Sequence, residues 1–99
     1  MSRKVRYNAK ARADLHRLYD FLLDRDVKAA ERALNAIVSG VAGLIDFPNT
    51  GRKVEHDGQE LRELPISFGR TGYLALYQLA DNGDVQILAI RHQREDDYR

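Results

Sequence analysis

Polar and apolar positions alternate over residues 3–7, with Val5 and Tyr7 set against Lys4 and Arg6. A period of two predicts a short strand. Asn8 follows as a helix N-cap, because its side-chain oxygen can accept an otherwise unpaired backbone N–H. Ala11, Leu15, Leu18, Tyr19 and Leu22 then recur every three or four residues. That stripe predicts a helix over about 9–25. Asp24 and Asp26 flank a break. A second stripe of Ala30, Ala33, Leu34, Ile37, Val41, Leu44 and Ile45 predicts a helix over 27–47. Gly40 and Gly43 inside it each cost ~1 kcal/mol against alanine and leave room for another backbone to approach. Pro48 ends the helix, because the residue before proline resists helical geometry. So short a connection predicts an antiparallel helical hairpin.

Turn formers fill Pro48-Asn49-Thr50-Gly51, and the polar stretch on to Gly58 reads as irregular. Strands are expected at about 60–66, 72–80 and 84–92. Asn82-Gly83 predicts a type I′ hairpin turn between the last two. A two-residue loop there sets Asp81 opposite Asp84, Tyr77 opposite Leu88, Leu76 opposite Ala89, Leu74 opposite Arg91 and Tyr73 opposite His92. Tyr73, Tyr77, Leu88, Ile90 and His92 would then share one face, and Leu74, Leu76, Ile87 and Arg91 the other. Both faces of residues 85–90 are largely apolar, so this strand should be central and covered. The expected fold is α+β: an N-terminal strand, an antiparallel helical hairpin, then a three-stranded antiparallel meander in one small sheet. The hairpin covers one face of that sheet and leaves the other to be explained.

Ninety-nine residues make a single domain, 1–99, with one modest core. Of these residues 43% are hydrophobic and 31% charged, which is a globular composition. No run is long enough for a membrane helix, and no apolar stretch follows the first four residues. Cysteine is absent, which excludes disulfides, thiolate metal sites and thiol nucleophiles. A cytoplasmic protein is the default expectation. The net charge is only +1, yet Arg3, Lys4, Arg6, Lys10 and Arg12 precede the first acid. One end of the fold should therefore carry positive potential.

His16, His56 and His92 are too far apart in sequence to form a ligand-spaced pair. The serines, Ser2, Ser39 and Ser67, lie outside any nucleophile-elbow context. Gly51 and Gly58 are isolated and make no phosphate loop. The C-terminal run from Arg91 to Arg99 is the best candidate for chemistry. It ends a strand with Arg91, His92 and Arg94, and Tyr98 comes soon after. Phosphodiester cleavage by the RNA 2′-hydroxyl needs a base, an acid and a cation, and these residue types permit it. The competing reading is a solvated tail whose Glu95, Asp96 and Asp97 neutralise the arginines.

The order strand, helical hairpin, antiparallel strands resembles the ParE/RelE superfamily of toxins from type II toxin–antitoxin pairs. The resemblance spans the whole chain. It is carried by Tyr7-Asn8, Ala13-Asp14-Leu15 and Leu18-Tyr19, then Phe47-Pro48-Asn49-Thr50-Gly51-Arg52 and Leu61-Arg62-Glu63-Leu64. Gly72-Tyr73-Leu74-Ala75-Leu76-Tyr77 and Ile87-Leu88-Ala89-Ile90-Arg91-His92-Gln93-Arg94 complete it.

The resemblance implies a small ParD-like antitoxin that wraps the toxin and fills apolar grooves, with two toxins on an antitoxin dimer forming a heterotetramer. Phe21, Leu23 and Val38, on the outer side of the helices, are then candidate antitoxin contacts. It also implies one of two activities. RelE-like members resemble ribosome-dependent mRNA endonucleases, whereas ParE-like members poison DNA gyrase. Here Leu74 stands where a nuclease-type arginine would be, and Pro65 and Ser67 stand where lysines would be. Neutral side chains cannot replace that charge at a phosphate. The ParE-like reading is therefore favoured: a binding toxin without a cofactor, whose functional surface is Arg62, Arg91, His92, Arg94 and Tyr98. In the endonuclease alternative, Arg62 and Arg94 would stabilise phosphate, and His92 or Tyr98 would move protons.

Overall fold

The computed structural model describes residues 3–98. Met1, Ser2 and Arg99 lie outside the described residues, and with them the first of the three serines and the last of the C-terminal arginines. Strand β1 (Val5–Tyr7) leads into helix α1 (Ala9–Leu23) and then helix α2 (Val27–Ala42). A single 3₁₀ turn, Gly43–Ile45, extends α2. Four strands complete the chain: β2 (Arg52–His56), β3 (Gln59–Phe68), β4 (Thr71–Leu79) and β5 (Val85–His92). The sheet order is β1-β5-β4-β3-β2, with β1 parallel to β5 and every other pairing antiparallel. Among the described residues no helix is long and apolar enough to cross a membrane.

The helix starts are set by their caps. Asn8 Oδ1 accepts the Ala11 N–H at 2.8 Å, and Asp26 Oδ1 accepts that of Ala29 at 3.1 Å. Both helices lie on one face of the sheet. Ala11, Leu18, Ala33, Ile37 and Val41 pack there on Leu64, Ile66, Tyr73, Tyr77, Ile87 and Ile90. Of the two glycines in the second stripe, only Gly40 marks a close approach. A Cβ on it would lie 3.1 Å from Ile66 Cγ1, whereas one on Gly43 would meet nothing within 4 Å.

The sheet is larger than the three-stranded meander expected. The polar stretch thought irregular forms β2, joined to β3 through Asp57-Gly58. Both loop residues have positive φ, 49° and 76°. This is the two-residue turn that Asp-Gly favours, and it draws residues 52–56 into the sheet. The turn at Asn82-Gly83 is different. Gly83 N–H donates to Ala80 O, and Ala80 N–H to Asp84 O, each at 2.8 Å. Only Gly83 has positive φ, so the loop is three residues long and not the expected type I′ turn.

That change moves the register by one near the loop, placing Tyr77 opposite Ile87 instead of Leu88. A bulge at Leu88 then restores it. Leu76 faces Ala89, Leu74 faces Arg91 and Tyr73 faces His92, as the sequence predicts. The bulge also exchanges two side chains between faces. Ile87 joins the helix-side core, and Leu88 joins Leu61, Leu76 and Ala89 on the opposite face.

Candidate functional site

The face away from the helices carries a small apolar floor of Leu61, Leu76 and Ala89, flanked by Val54 and Leu88. It is partly covered by the chain's own C-terminus. After β5 the chain turns, and Tyr98 packs on this floor. Its hydroxyl donates to Glu63 Oε2 at 2.6 Å, and Arg52 Nη2 donates to Glu63 Oε1 at 2.5 Å. The Arg91 guanidinium sits 5.2 Å from the centre of the Tyr98 ring, and His56 meets that ring edge-on at 5.5 Å. A groove of about 490 Å³ remains beside Tyr98, lined mainly by Lys10, His56, Leu61, Leu76 and Leu88. The solvated-tail reading is therefore only half right. Asp96 and Asp97 are exposed, but Tyr98 is an anchor.

Burial alone would raise the Glu63 carboxyl. The hydrogen bonds from Tyr98 and Arg52, with the charges of Arg52 and Arg91, outweigh burial and hold it below the usual carboxylate range. The same geometry acts in reverse on Tyr98. Burial, then the hydrogen bond to anionic Glu63, pushes its phenol well above the ordinary tyrosine value. Tyr98 is thus a committed donor and no base at neutral pH.

The five residues singled out in sequence do not form one site. Arg91 and Tyr98 meet on the open face, and Arg91 also donates to the Glu95 carbonyl. Arg62 points to the helix side, opposite Tyr77 in the β3–β4 pairing. Its Nη1 donates to Gly51 O at 2.7 Å and to Asn49 O at 3.2 Å. Tyr77 reinforces this, donating to Pro48 O at 2.7 Å and accepting the Gly51 N–H at 2.9 Å. Arg62 and Tyr77 thus hold the Pro48–Gly51 loop from beneath.

His92 also lies on the helix side, edge-on to Tyr73 at 5.3 Å. Its Nδ1 accepts the Arg94 N–H at 3.1 Å, so the neutral ring carries its proton on Nε2, 3.1 Å from Thr71 Oγ1. Burial first, and the Arg94 charge second, lower its pKa. The ring is neutral and both nitrogens are engaged. Arg94 is exposed.

Glu63, Arg52 and Asp14 were not singled out from sequence. Glu63 shares a strand face with Leu61, so an acid in an apolar row was the available signal. Asp14 is buried on α1 and accepts the Ile90 N–H at 2.8 Å while pairing with Lys10. Strand β1 stops opposite Ile87, so β5 beyond it has a bare edge. Asp14 closes that edge, as Glu95 Oε1 does at the His92 N–H, 2.9 Å away. Among the described residues no three metal-ligating side chains converge.

The chain is thus a small α+β domain, β-α-α-β-β-β-β, with two helices on one face of a five-stranded sheet. The family model described as "ParE toxin of type II toxin-antitoxin system, parDE" matches residues 5–97, and the chain belongs to that family. Among curated proteins it is similar to "Toxin RelE3" of Caulobacter vibrioides, 37% identical and covering 94% of this chain and 97% of that one. "Toxin RelE1" of the same organism is 32% identical, covering 96% and 98%. Among solved structures it resembles "Chromosomal ParDE TA system from P. aeruginosa", with a TM-score of 0.73 and 26% identity, over 92% of this chain and 96% of that one.

Proposed function

We propose that this chain is the toxin of its pair, that it acts by binding DNA gyrase, and that a ParD-like antitoxin neutralises it. The observation that carries the gyrase reading is the row across the open sheet face. Pro65 faces Leu74, and Leu74 faces Arg91, so two of the three positions are neutral. Arg91 itself lies against Tyr98 and the Glu95 carbonyl. Cleaving RNA asks for converging cations and a group able to move protons. Arg62 is bound to the loop carbonyls, His92 has both nitrogens engaged, and Tyr98 donates to Glu63. This supports contact through Arg91, Arg94 and the C-terminal segment rather than catalysis. Exposed Phe21, Leu23 and Val38 support an antitoxin as the partner that covers them. Two toxins on an antitoxin dimer are the proposed assembly.

The second reading, ribosome-dependent mRNA cleavage, draws on the names of the curated relatives. One experiment separates the two: the purified chain in a gyrase supercoiling assay and, in parallel, with ribosome-bound mRNA. Lost supercoiling with accumulating cleaved DNA and intact mRNA is the expected result. Cut mRNA with gyrase untouched would overturn it.

A further inference from the structure

Strand β2 is one edge of the sheet, and its outer backbone groups face no other strand. The two-residue loop at Asp57-Gly58 closes on His56 paired with Gln59. In such a hairpin the closing pair is hydrogen-bonded, and the alternation beyond it turns Lys53 and Glu55 outward. These two residues have poor partners inside the chain. Across the β2–β3 ladder Lys53 faces Arg62, and Glu55 faces Glu60. Like charges directly opposite are unfavourable. The relief available within the chain is a diagonal Lys53–Glu60 contact at 3.7 Å between two well-exposed side chains, which contributes little.

We propose that β2 pairs antiparallel with β2 of a second copy of this chain, about a two-fold axis at Val54. Such a two-fold sets Lys53 opposite Glu55 of the second copy, and Glu55 opposite its Lys53. Each outward residue then gains a direct opposite charge together with its missing backbone hydrogen bonds. Neighbouring registers that keep the two helical layers on one side fail. Centring on Lys53 opposes two lysines, and centring on Glu55 opposes two glutamates. The charge pattern thus selects a single register. The edge is only five residues long, so the interface is small and its population grows with concentration.

The test is sedimentation of the purified chain over rising concentration, with circular dichroism to confirm folding. The mass should climb from one chain towards two. Glu55→Lys or Lys53→Glu alone replaces two attractive cross-strand pairs by two repulsive ones and should weaken dimerisation roughly tenfold. The double variant exchanges the signs and should restore it. As the chain has no cysteine, Val54→Cys supplies an independent readout. Cysteines facing each other across the two-fold fall within disulfide range and should cross-link on mild oxidation, whereas Ser39→Cys on the exposed side of α2 should not. A single-chain mass throughout, or a dimer indifferent to these charges, would overturn the proposal. So would amide protection of β2 that arises only when an antitoxin peptide is added, which would assign the edge to that peptide.

Discussion

Replacing Tyr77 by phenylalanine removes one oxygen and leaves the ring in place. That oxygen accepts the buried Gly51 N–H at 2.9 Å and donates to Pro48 O at 2.7 Å. Gly51 is enclosed, and a Cβ there would already lie 2.6 Å from Tyr77 Cε1, so water cannot easily replace the lost acceptor. An unsatisfied buried donor costs about 1–3 kcal/mol. The bond to Pro48 O is only partly buried and adds less. The expected loss is therefore ~2 kcal/mol, or a fall in Tm of roughly 10 °C for a domain of this size. Urea unfolding followed by circular dichroism measures it, and the slope m should stay constant while the midpoint falls. Gly51→Ala should be destabilising too, because its methyl meets both Tyr77 Cε1 and, at 2.7 Å, the hydroxyl. The double variant should lose less than the two singles added, since the hydroxyl is one of the clashing atoms. A Tyr77→Phe loss under ~0.5 kcal/mol would refute the argument, because a hydrogen bond between buried groups would then be contributing nothing.

Asp14→Ala should destabilise by about 2–4 kcal/mol, since it strands the buried Ile90 N–H and removes the partner of Lys10; chemical denaturation checks it, with faster exchange at the Ile90 amide as the local sign. Tyr98→Phe should raise the Glu63 pKa, because it deletes a hydrogen bond to the anionic form, and a carboxyl-carbon NMR titration reads this directly. Stability should fall as pH drops, in two stages. His92 and Glu63 both have folded pKa values below their unfolded ones, so each contribution is complete above the unfolded pKa and is lost as pH falls through the folded one. The His92 stage begins as pH falls below the ordinary histidine value and the Glu63 stage in the carboxylate range. His92→Gln should abolish the first stage in a midpoint-against-pH series and leave the second.

The helices were legible because each apolar stripe, and the cap at Asn8, states its own local rule. Asn8 and Asp26 act on neighbouring backbone, whereas the helix expected to run to Pro48 ends earlier, α2 at Ala42 and its 3₁₀ turn at Ile45. The sheet was legible only in part. Asn-Gly and Asp-Gly carry similar turn signals, yet only Asp57-Gly58 adopts the two-residue form. At Asp84 the carboxylate accepts the Lys4 N–H at 2.9 Å and approaches Arg6, so the position is fixed by β1 across the fold. That long-range bond accompanies the wider loop and the bulge at Leu88. Strand β2 was missed because its residues 52–56 are charged at most positions, as an edge strand's are. For the site, the sequence grouped Arg62, Arg91, His92, Arg94 and Tyr98 together, and of these Arg91 and Tyr98 lie side by side. It could not divide Arg62 and His92 from them, since strand register and bulges decide which face a side chain takes.

Two sets of residues have separate physical tasks. Pro48, Asn49 and Gly51 are gathered under α2 by Arg62 and Tyr77, residues of two other strands. That arrangement fixes the end of the helical hairpin against the sheet and asks for arginine and tyrosine whatever the toxin acts upon. The C-terminal set is different. On the open face Tyr98 and Arg52 both hydrogen-bond to Glu63, Arg91 lies against the Tyr98 ring, and the C-terminal segment is held there by the Tyr98 anchor. A fold does not by itself dictate function, so a framework of this kind can be kept while side chains elsewhere on it vary. Here the second set holds the C-terminal segment on the sheet, with Leu74 beside Arg91 and Pro65 next to Leu74 across the row. Restoring arginine at Leu74 would place two guanidinium groups side by side on the strands, and the like-charge repulsion would fall on the segment that Tyr98 anchors. The neutral residues are therefore part of what lets the tail rest on the sheet.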